Sequence, residues 1–169
     1  MPESPFTIRV ATYDDHQAIA KLIHRSHTIS FAPFVPQSWV ETREQGEYLE
    51  KWRGVLTDDS GHATTFVAVR PDDAIIGTVG VTRMDADEFD AQLVGMHVDP
   101  ESTGLGIGSE LMERAIEHIE SKRYQKAQLG VIAANDGARR FYEKHGWQLH
   151  AELPDGVEGV PIVVYSFTT

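Results

Sequence analysis

Apolar and polar residues follow two different periods along this chain, and these periods predict where strands and helices lie. Strands are predicted where apolar residues alternate with polar ones or form short continuous runs. Seven segments have this pattern: Phe6–Val10, Ala63–Val69, Ile75–Met84, Gln92–Val98, Lys126–Ile132, Trp147–Glu152 and Val160–Phe167. Asp72 and Asp73 predict a turn between the second and third strands, and Pro154–Gly156 predicts the turn that joins the last two.

Apolar residues three and four positions apart predict the helices. The first helix is capped by Thr12 or Asp14 and runs to about His27, and the others are Trp39–Leu56, Ser109–Ser121 and Asp136–His145. The second of these is expected to break or end near Gly46 or Gly54. Ile29–Ser38 is rich in aromatic residues and proline, so it is predicted to be a loop.

Hairpins alternate with strand–helix pairs along the sequence, which predicts an α+β fold with a mixed, mostly antiparallel central sheet. We expect six to seven strands flanked by about four helices. No repeat or linker divides the chain, and its 169 residues are enough for one core. Residues 1–169 are therefore expected to form a single domain.

The composition excludes several kinds of site but does not identify a function. The chain has no cysteine, which excludes disulfides, thiolate metal sites and a cysteine nucleophile. No basic, apolar leader begins the chain and no apolar run is long enough to cross a bilayer, so we expect a cytoplasmic protein that does not bind membranes. His24 and His27 have helical spacing but no evident third ligand, so no metal is predicted.

The net charge is −11, with 26 acidic and 15 basic residues. Such a surface gains little from a phosphate backbone, so nucleic acid is not an expected partner. A cationic amine would be attracted to it, although an acidic surface equally serves solubility. Charge alone does not identify a substrate.

The segment Val94–Met112 contains the most informative chemistry in the sequence. A strand leads through Asp99 and Pro100 to three alternating glycines and then to an amphipathic helix. Glycines before a helix expose backbone N–H groups at the positive end of the helix dipole, which favours binding of a phosphate. No lysine follows them, so this is not a nucleotide-hydrolysing P-loop, and the spacing only approaches that of a dinucleotide fingerprint. The alternative interpretation is that these are ordinary turn glycines.

A second segment, Val131–Trp147, reads VIAANDGARRFYEKHGW. Together the two segments resemble the GNAT superfamily of acyl-CoA-dependent N-acyltransferases. In that family a strand ending near V-x-P leads to Arg/Gln-Gly-x-Gly-x-Gly/Ala, and a later strand leads to Asn and then to A-x-x-F-Y-x-x-x-G-F. The matching residues are Val98, Pro100, Gly104, Gly106, Gly108, Asn135, Ala138, Phe141, Tyr142, Gly146 and Trp147. Ile8–Asp15 also resembles the family's first strand and first helix.

The resemblance implies acetyl-CoA as co-substrate. It assigns the pyrophosphate to the loop made of Thr103, Gly104, Leu105, Gly106, Ile107, Gly108 and Ser109. It assigns the pantetheine arm to the main chain of Met96 and Val98, in a gap where two parallel strands splay apart, and to Asn135, Ala138 and Tyr142. Gly95 would suit a bulge there. Thr103 replaces the family's Arg or Gln and removes a side-chain phosphate contact, but it leaves the backbone amides unchanged. Asn135 is equally suited to being a plain helix N-cap.

The resemblance also implies catalytic roles. Tyr142 is the expected general acid at the thioester sulfur, and the backbone N–H of Val98 is the expected oxyanion donor. The resemblance does not identify the general base, because Gln92 occupies the position at which many relatives carry a glutamate. His97, Glu88 and Asp90 are candidates, as is a chain of water molecules. Strand alternation puts His97 on the face opposite Met96 and Val98, where it is equally suited to packing.

Acceptor specificity in this family comes largely from the first two helices and their connection. Aromatic residues in that region are expected to form the acceptor pocket, namely Phe31, Phe34, Trp39, Tyr48 and Trp52. The alternative is that Trp39 and Trp52 form the apolar face of a helix.

The function expected first is N-acetyl transfer to the primary amine of a small molecule. A protein N-terminal or lysine acetyltransferase is the alternative enzyme, and a peptide is then the acceptor. A binding module that senses acyl-CoA without turnover is the alternative that is not an enzyme. The family also implies a possible homodimer.

Overall fold

A computed structural model describes residues 4–169 of the chain as a seven-stranded sheet with five α-helices. The strands are β1 (Thr7–Val10), β2 (Ala63–Val69), β3 (Ile75–Arg83), β4 (Ala91–Val98), β5 (Lys126–Ile132), β6 (Gln148–Val157) and β7 (Val160–Thr168). The helices are α1 (His16–Arg25), α2 (Gln37–Glu41), α3 (Gln45–Thr57), α4 (Ile107–Ser121) and α5 (Asp136–Lys144). The α+β class and the mostly antiparallel sheet are therefore confirmed. Within residues 4–169, no helix has both the length and the apolar character needed to cross a bilayer.

The sheet has the strand order β1-β2-β3-β4-β5-β7-β6, and all its pairings are antiparallel except that of β4 with β5. That parallel pairing extends over two residue pairs, Ala91 with Ala127 and Gln92 with Gln128. Beyond them the strands diverge, which is the splay that the resemblance implied. The remaining edge of β4 is consequently open in the middle of the sheet.

The two faces of the sheet carry separate cores. On one face α4 buries Leu111 and Met112 against the sheet, and this cluster extends to Trp147. On the other face α1 and α3 pack Ile19 and Trp52 against β2. Trp52 is 5% exposed and belongs to this second core, so its assignment to the acceptor pocket is wrong. The alternative, an apolar helix face, is correct for this tryptophan.

The structure differs from the predicted elements after α1. The helix continues into a π-helical turn, Ser26–Ser30, and a 3-10 turn follows at Ala32–Phe34, so less of this region is loop than the sequence indicated. The predicted second helix breaks between α2 and α3, whereas Gly46 and Gly54 both lie inside α3. The break has a local cause, because the side chains of Thr42 and Arg43 both donate to the carbonyl of Trp39 and so end α2.

The predicted turn at Pro154–Gly156 is also wrong. Those residues lie within β6, at an irregularity between Leu153 and Val157. The connection to β7 is a two-residue turn made of Glu158 and Gly159, whose φ angles are 53° and 77°. Turns with positive φ at both central residues match the twist of antiparallel strands, which explains why the chain reverses there.

Candidate active site

A bulge in β4 determines which side chains enter the gap in the sheet. Three steps along β4, from Val94 to His97, oppose two steps along β3, and the extra residue falls at Gly95, whose φ is 59°. The bulge that the sequence suggested is therefore present. Met96 packs against the core under α4, while His97 lies on the opposite face, under the π-helical turn.

A cavity of about 600 Å³ opens where β4 and β5 diverge. Its walls come from the π-helical turn, α2 and its connection to α3, β4, β5, α5 and the β6–β7 hairpin. It brings together eight residues that the sequence analysis had selected: Phe31, Trp39, Met96, His97, Val98, Asn135, Ala138 and Tyr142. Phe34, Tyr48 and the glycine loop do not line it. The cavity connects the two halves of the sheet, because residues from both diverging strands border it.

The glycine loop leads from the end of β4 into the N-terminus of α4. Gly104 and Gly106 have φ angles of 84° and 77°, and a Cβ atom at either position would meet nothing within 4 Å. No side chain of residues 4–169 caps α4, so the N–H groups of its first turn are left for a ligand. This arrangement fits a pyrophosphate.

Gly108 differs from the other two glycines. It lies inside α4, and a Cβ there would contact Phe141 of α5 at 3.5 Å and Met96 at 3.7 Å. Its small size brings α4 close to α5 and to β4. Two other side chains of the loop pack within the protein: Ile107 is 2% exposed, and Ser109 Oγ lies 3.2 Å from His145 Nε2. Thr103 and Leu105 remain exposed at the surface.

The backbone of Val98 points into the gap. The N–H of the next residue, Asp99, donates to the carbonyl of Ile76 in β3 at 2.8 Å. Because successive N–H groups along a strand point to opposite edges, the N–H of Val98 points away from β3 and toward the diverging β5. This is the edge at which the cavity lies.

Two residues of the α5 region face the same space. Asn135 Oδ1 accepts the N–H of Ala138 at 3.1 Å, so Asn135 is the N-cap of α5 as well as part of the cavity wall. Tyr142 is 8% exposed, and burial raises the pKa of its hydroxyl to about 12. The phenol therefore stays protonated at neutral pH and can act as a hydrogen-bond donor.

Two histidines line the opposite end of the cavity. His97 Nδ1 lies 2.8 Å from Ser26 Oγ, and His27 Nδ1 lies 2.7 Å from the hydroxyl of Tyr48. The centroids of the two imidazole rings are 5.1 Å apart. Burial lowers the pKa of His97 to about 3 and that of His27 to about 4, so both are neutral at pH 7. Tyr48 thus orients His27 from behind the cavity wall.

Arg43 and Glu158 complete this end of the cavity, and neither residue belongs to a pattern that predicts a site. The Arg43 guanidinium lies 4.1 Å from the ring centroid of Trp39, and its Nε donates to the Trp39 carbonyl at 3.0 Å. A second guanidinium nitrogen pairs with the carboxylate of Glu158 in the β6–β7 turn. The two residues are 115 positions apart, so only the folded sheet brings them together. Ser26 and His27 were also missed, because their side chains meet β4 and α3 only in three dimensions.

Neither acidic candidate for the general base lies at the cavity. Glu88 is exposed and pairs with Lys126 and His150 at 3.4 and 3.1 Å. Asp90 accepts the backbone N–H groups of Gln125 and Lys126 at 2.8 and 2.9 Å, which fixes the start of β5. Their expected role as a base therefore has no support in this geometry.

No three His, Asp or Glu side chains among residues 4–169 come together in a way that could hold a metal ion. Of the two histidines with helical spacing, His24 places its Nε2 3.0 Å from the Arg43 carbonyl, and His27 contacts Tyr48. Both therefore have partners within the protein.

Comparison with known sequences gives a family match over most of the chain. The model of the acetyltransferase (GNAT) family matches residues 20–147. An uncharacterized N-acetyltransferase from Methanocaldococcus jannaschii is 25% identical over 148 residues, which are 85% of this chain and 61% of that protein. The chain thus spans about three fifths of the length of this curated relative.

Solved structures share the fold. The PaiA N-acetyltransferase from Thermoplasma acidophilum, in complex with coenzyme A, has a TM-score of 0.77 and 20% identity, with 96% of this chain and 99% of that chain covered. The ribosomal-protein-S5-alanine acetyltransferase from Vibrio fischeri has a TM-score of 0.76 and 17% identity, with 99% and 95% covered. At these identities the likeness shows the fold alone.

Proposed function

The chain belongs to the GNAT acetyltransferase family, and we propose that it transfers an acetyl group from acetyl-CoA to the primary amine of a small molecule by direct attack in a ternary complex. One observation carries this proposal: a single cavity joins the open edge of β4 to a cluster of aromatic residues. Acetyl-CoA supplies the thioester, and the chain's own residues bind, orient and manage protons. The cytoplasmic location and the homodimer remain predictions.

The residues near the open edge fit coenzyme A. The uncapped N-terminus of α4 offers N–H groups to the pyrophosphate. The unpaired main chain around Met96 and Val98 offers hydrogen bonds to the amides of the pantetheine arm, as an added strand would. The coenzyme A complex of PaiA, which has the same fold, supports this proposal.

Two groups near this edge have suitable chemistry for the transfer. The Val98 N–H, directed into the gap, would stabilise negative charge on the acetyl oxygen. The Tyr142 hydroxyl, with its pKa near 12, stays protonated and would donate to the leaving sulfur. Because a thiol has a pKa of about 8.5, the phenol is better suited to stabilising the thiolate by a hydrogen bond than to protonating it fully.

The general base is the least constrained role. His97 is the candidate that lines the cavity, but its pKa of about 3 makes it a weak base. It is suited to accepting a hydrogen bond from the amine and to passing a proton toward water. We therefore propose that proton removal uses His97 together with water.

A small acceptor is favoured over a protein by the composition of the cavity. Phe31, Trp39 and the two histidines border its far end, and the Arg43–Glu158 pair joins two separate segments there. An extended polypeptide would need an open groove in place of this pair. The fold itself does not decide, because it also occurs in an acetyltransferase of a ribosomal protein.

The first test is acetyl-CoA binding by calorimetry, comparing the native protein with Gly106→Trp. Gly106 is followed directly by the uncapped helix, so an indole there would block the anion site. Gly61→Trp, at an exposed glycine with a φ of 79° and with nothing within 4 Å of an added Cβ, is the matched control. We expect binding that Gly106→Trp abolishes and Gly61→Trp retains. Absence of binding by the native protein would refute the proposal.

Turnover is then measured as release of free thiol with a panel of amines, using the same three proteins. Thiol release that requires an amine, together with an acetylated product, supports the enzyme. Tight binding with no transfer to small amines or peptides would instead support a module that senses acyl-CoA. Transfer to peptides alone would support the protein acetyltransferase.

A further inference from the structure

The far end of the cavity has an unusual charge distribution for a protein that would bind an amine. The lining residues include two charged side chains, Arg43 and Glu158, and these pair with each other. His27 and His97 add no positive charge at neutral pH, because burial keeps both neutral. Although the whole chain carries a net charge of −11, the cavity has, among residues 4–169, no uncommitted carboxylate for an ammonium group.

The two members of the pair are held very differently. The side chain of Arg43 is 20% exposed and is fixed by the Trp39 carbonyl, by Thr42 Oγ1 at 3.4 Å and by stacking on the Trp39 ring. The side chain of Glu158 is 51% exposed and stands on a two-residue turn. An ion pair with one half-exposed partner contributes little to stability, so Glu158 is easily displaced.

A guanidinium is planar and has five N–H donors, which suits it to binding a carboxylate through two bonds. Arg43 uses three of these bonds within the protein, and one of them goes to Glu158. A ligand carboxylate can take the place of Glu158 without moving Arg43. The rings of Phe31, Trp39 and His27 between Arg43 and His97 would then contact an apolar part of the ligand.

We propose that the acceptor is a small amine that also carries a carboxylate and an apolar or aromatic body, and that Arg43 is its specificity-determining residue. Glu158 occupies the carboxylate site in the absence of ligand. This inference rests on the proposed function, since it names the acceptor class for the same cavity. It excludes polycationic amines as preferred acceptors, because they would meet the fixed Arg43 charge.

The test compares matched acceptors that differ in the carboxylate. Suitable sets are phenylalanine, phenylalaninamide and phenethylamine, or 5-aminopentanoate and pentylamine, with spermidine and a short peptide added. The readout is kcat and KM for thiol release. We expect the carboxylated member to have at least about a tenfold higher kcat/KM, because a charge-assisted pair is worth roughly that factor or more. Equal or better use of the amide, the plain amine, spermidine or the peptide would overturn the proposal.

Variants locate the effect at the residue. Arg43→Gln should raise KM for the carboxylated acceptor by roughly ten- to a hundredfold more than it raises KM for the plain amine. Glu158→Gln should lower KM for the carboxylated acceptor, because it removes the competing carboxylate. Arg83→Gln, which breaks a similar pair with Asp85 outside the cavity, is the control. Equal effects of Arg43→Gln on both acceptors would contradict the assignment. If that variant melts early, Arg43→Lys keeps the charge and loses the bidentate geometry.

Failure of this inference is distinguishable from failure of the proposed function. If acetyl-CoA binds but no amine is acetylated, calorimetry of phenylalanine and phenethylamine on the acetyl-CoA-loaded protein still tests the Arg43 site. Preferential binding of phenylalanine that Arg43→Gln removes would support the carboxylate site alone. Equal binding of both compounds, or no binding of either, would overturn it.

Discussion

Acidification should destabilise this protein well above the pH at which its carboxylates titrate. His97 and His27 have folded-state pKa values of about 3 and about 4, lowered first by burial, whereas an unfolded chain has a histidine pKa of about 6.5. Below pH 6.5 the unfolded state therefore binds protons at these two histidines that the folded state does not bind. Stability is fully present above that pH and is lost as pH falls toward 4 and then 3.

The magnitude follows from the two shifts. At pH 5 an unfolded histidine is almost fully protonated while each buried one remains neutral, which costs about 2 kcal/mol per residue. The two together remove about 4 kcal/mol between pH 8 and pH 5, a large part of a typical stability of roughly 5–15 kcal/mol. Burial also lowers the pKa of His118 and His145, and these act in the same direction.

Denaturant unfolding at pH 8, 6 and 5 measures this loss as the free energy of unfolding. His97→Asn should reduce the loss between pH 8 and 5 by about 2 kcal/mol, whatever it does to the stability at pH 8. His62→Asn, which removes an imidazole from the surface, is the matched control. A stability that is the same at pH 8 and pH 5, or a loss that His97→Asn leaves unchanged, would show that the buried histidines do not set the pH dependence.

Three further predictions concern single residues. Tyr142→Phe should lower kcat by about a hundredfold and leave the Kd for acetyl-CoA unchanged, as stopped-assay kinetics and calorimetry can check; a parallel loss of binding would point to packing instead. Gly106→Ala should lower the free energy of unfolding by about 1–2 kcal/mol, because the φ of Gly106 is 77°. Gly46→Ala should raise it by up to about 1 kcal/mol, because Gly46 lies in α3. Chemical denaturation measures both changes, and equal effects would contradict the role of the backbone angle. Asp90→Ala should cost about 1–2 kcal/mol by orphaning two N–H groups without lowering kcat, whereas a loss of turnover at full stability would restore Asp90 as a base.

Much of the fold was accessible from local patterns. The apolar faces of α4 and α5 and the β2–β3 hairpin depend on residues that are close in sequence, so their periodicity predicts them well. Errors arose where side chains override the pattern. The break after α2 depends on Arg43 and Thr42 capping Trp39, and the last turn depends on the backbone angles of Glu158. Proline and glycine at 154–156 are turn residues by composition, but a tighter turn was available next to them.

Local sequence patterns likewise predict one part of the candidate site better than the other. The backbone geometry of the proposed coenzyme side was predictable, because glycines before a helix and an N-cap asparagine act locally. At the other end of the cavity Phe31 and Trp39 were predicted, but the side-chain pairs were not, because their partners come from distant segments: Ser26 with His97, His27 with Tyr48, and Arg43 with Glu158. No spacing rule relates such pairs. Trp39 and Trp52 illustrate this, since both belong to one predicted helix, yet of the two only Trp39 lines the cavity.

The two sides of the cavity are linked through Gly95. The extra residue in β4 is accommodated because glycine adopts a φ of 59° at low cost. The bulge sits just beyond the last pairing with β5, at the point where the strands diverge. It leaves Met96 against the core under α4 and puts His97 beside Ser26, so the proposed coenzyme and acceptor sides lie on consecutive residues of one strand. A side chain at position 95 would be strained by its backbone angle and would contact the Trp52 ring at 3.7 Å. Gly95 therefore determines where Met96 and His97 lie, and its backbone angle disfavours any other residue at this position.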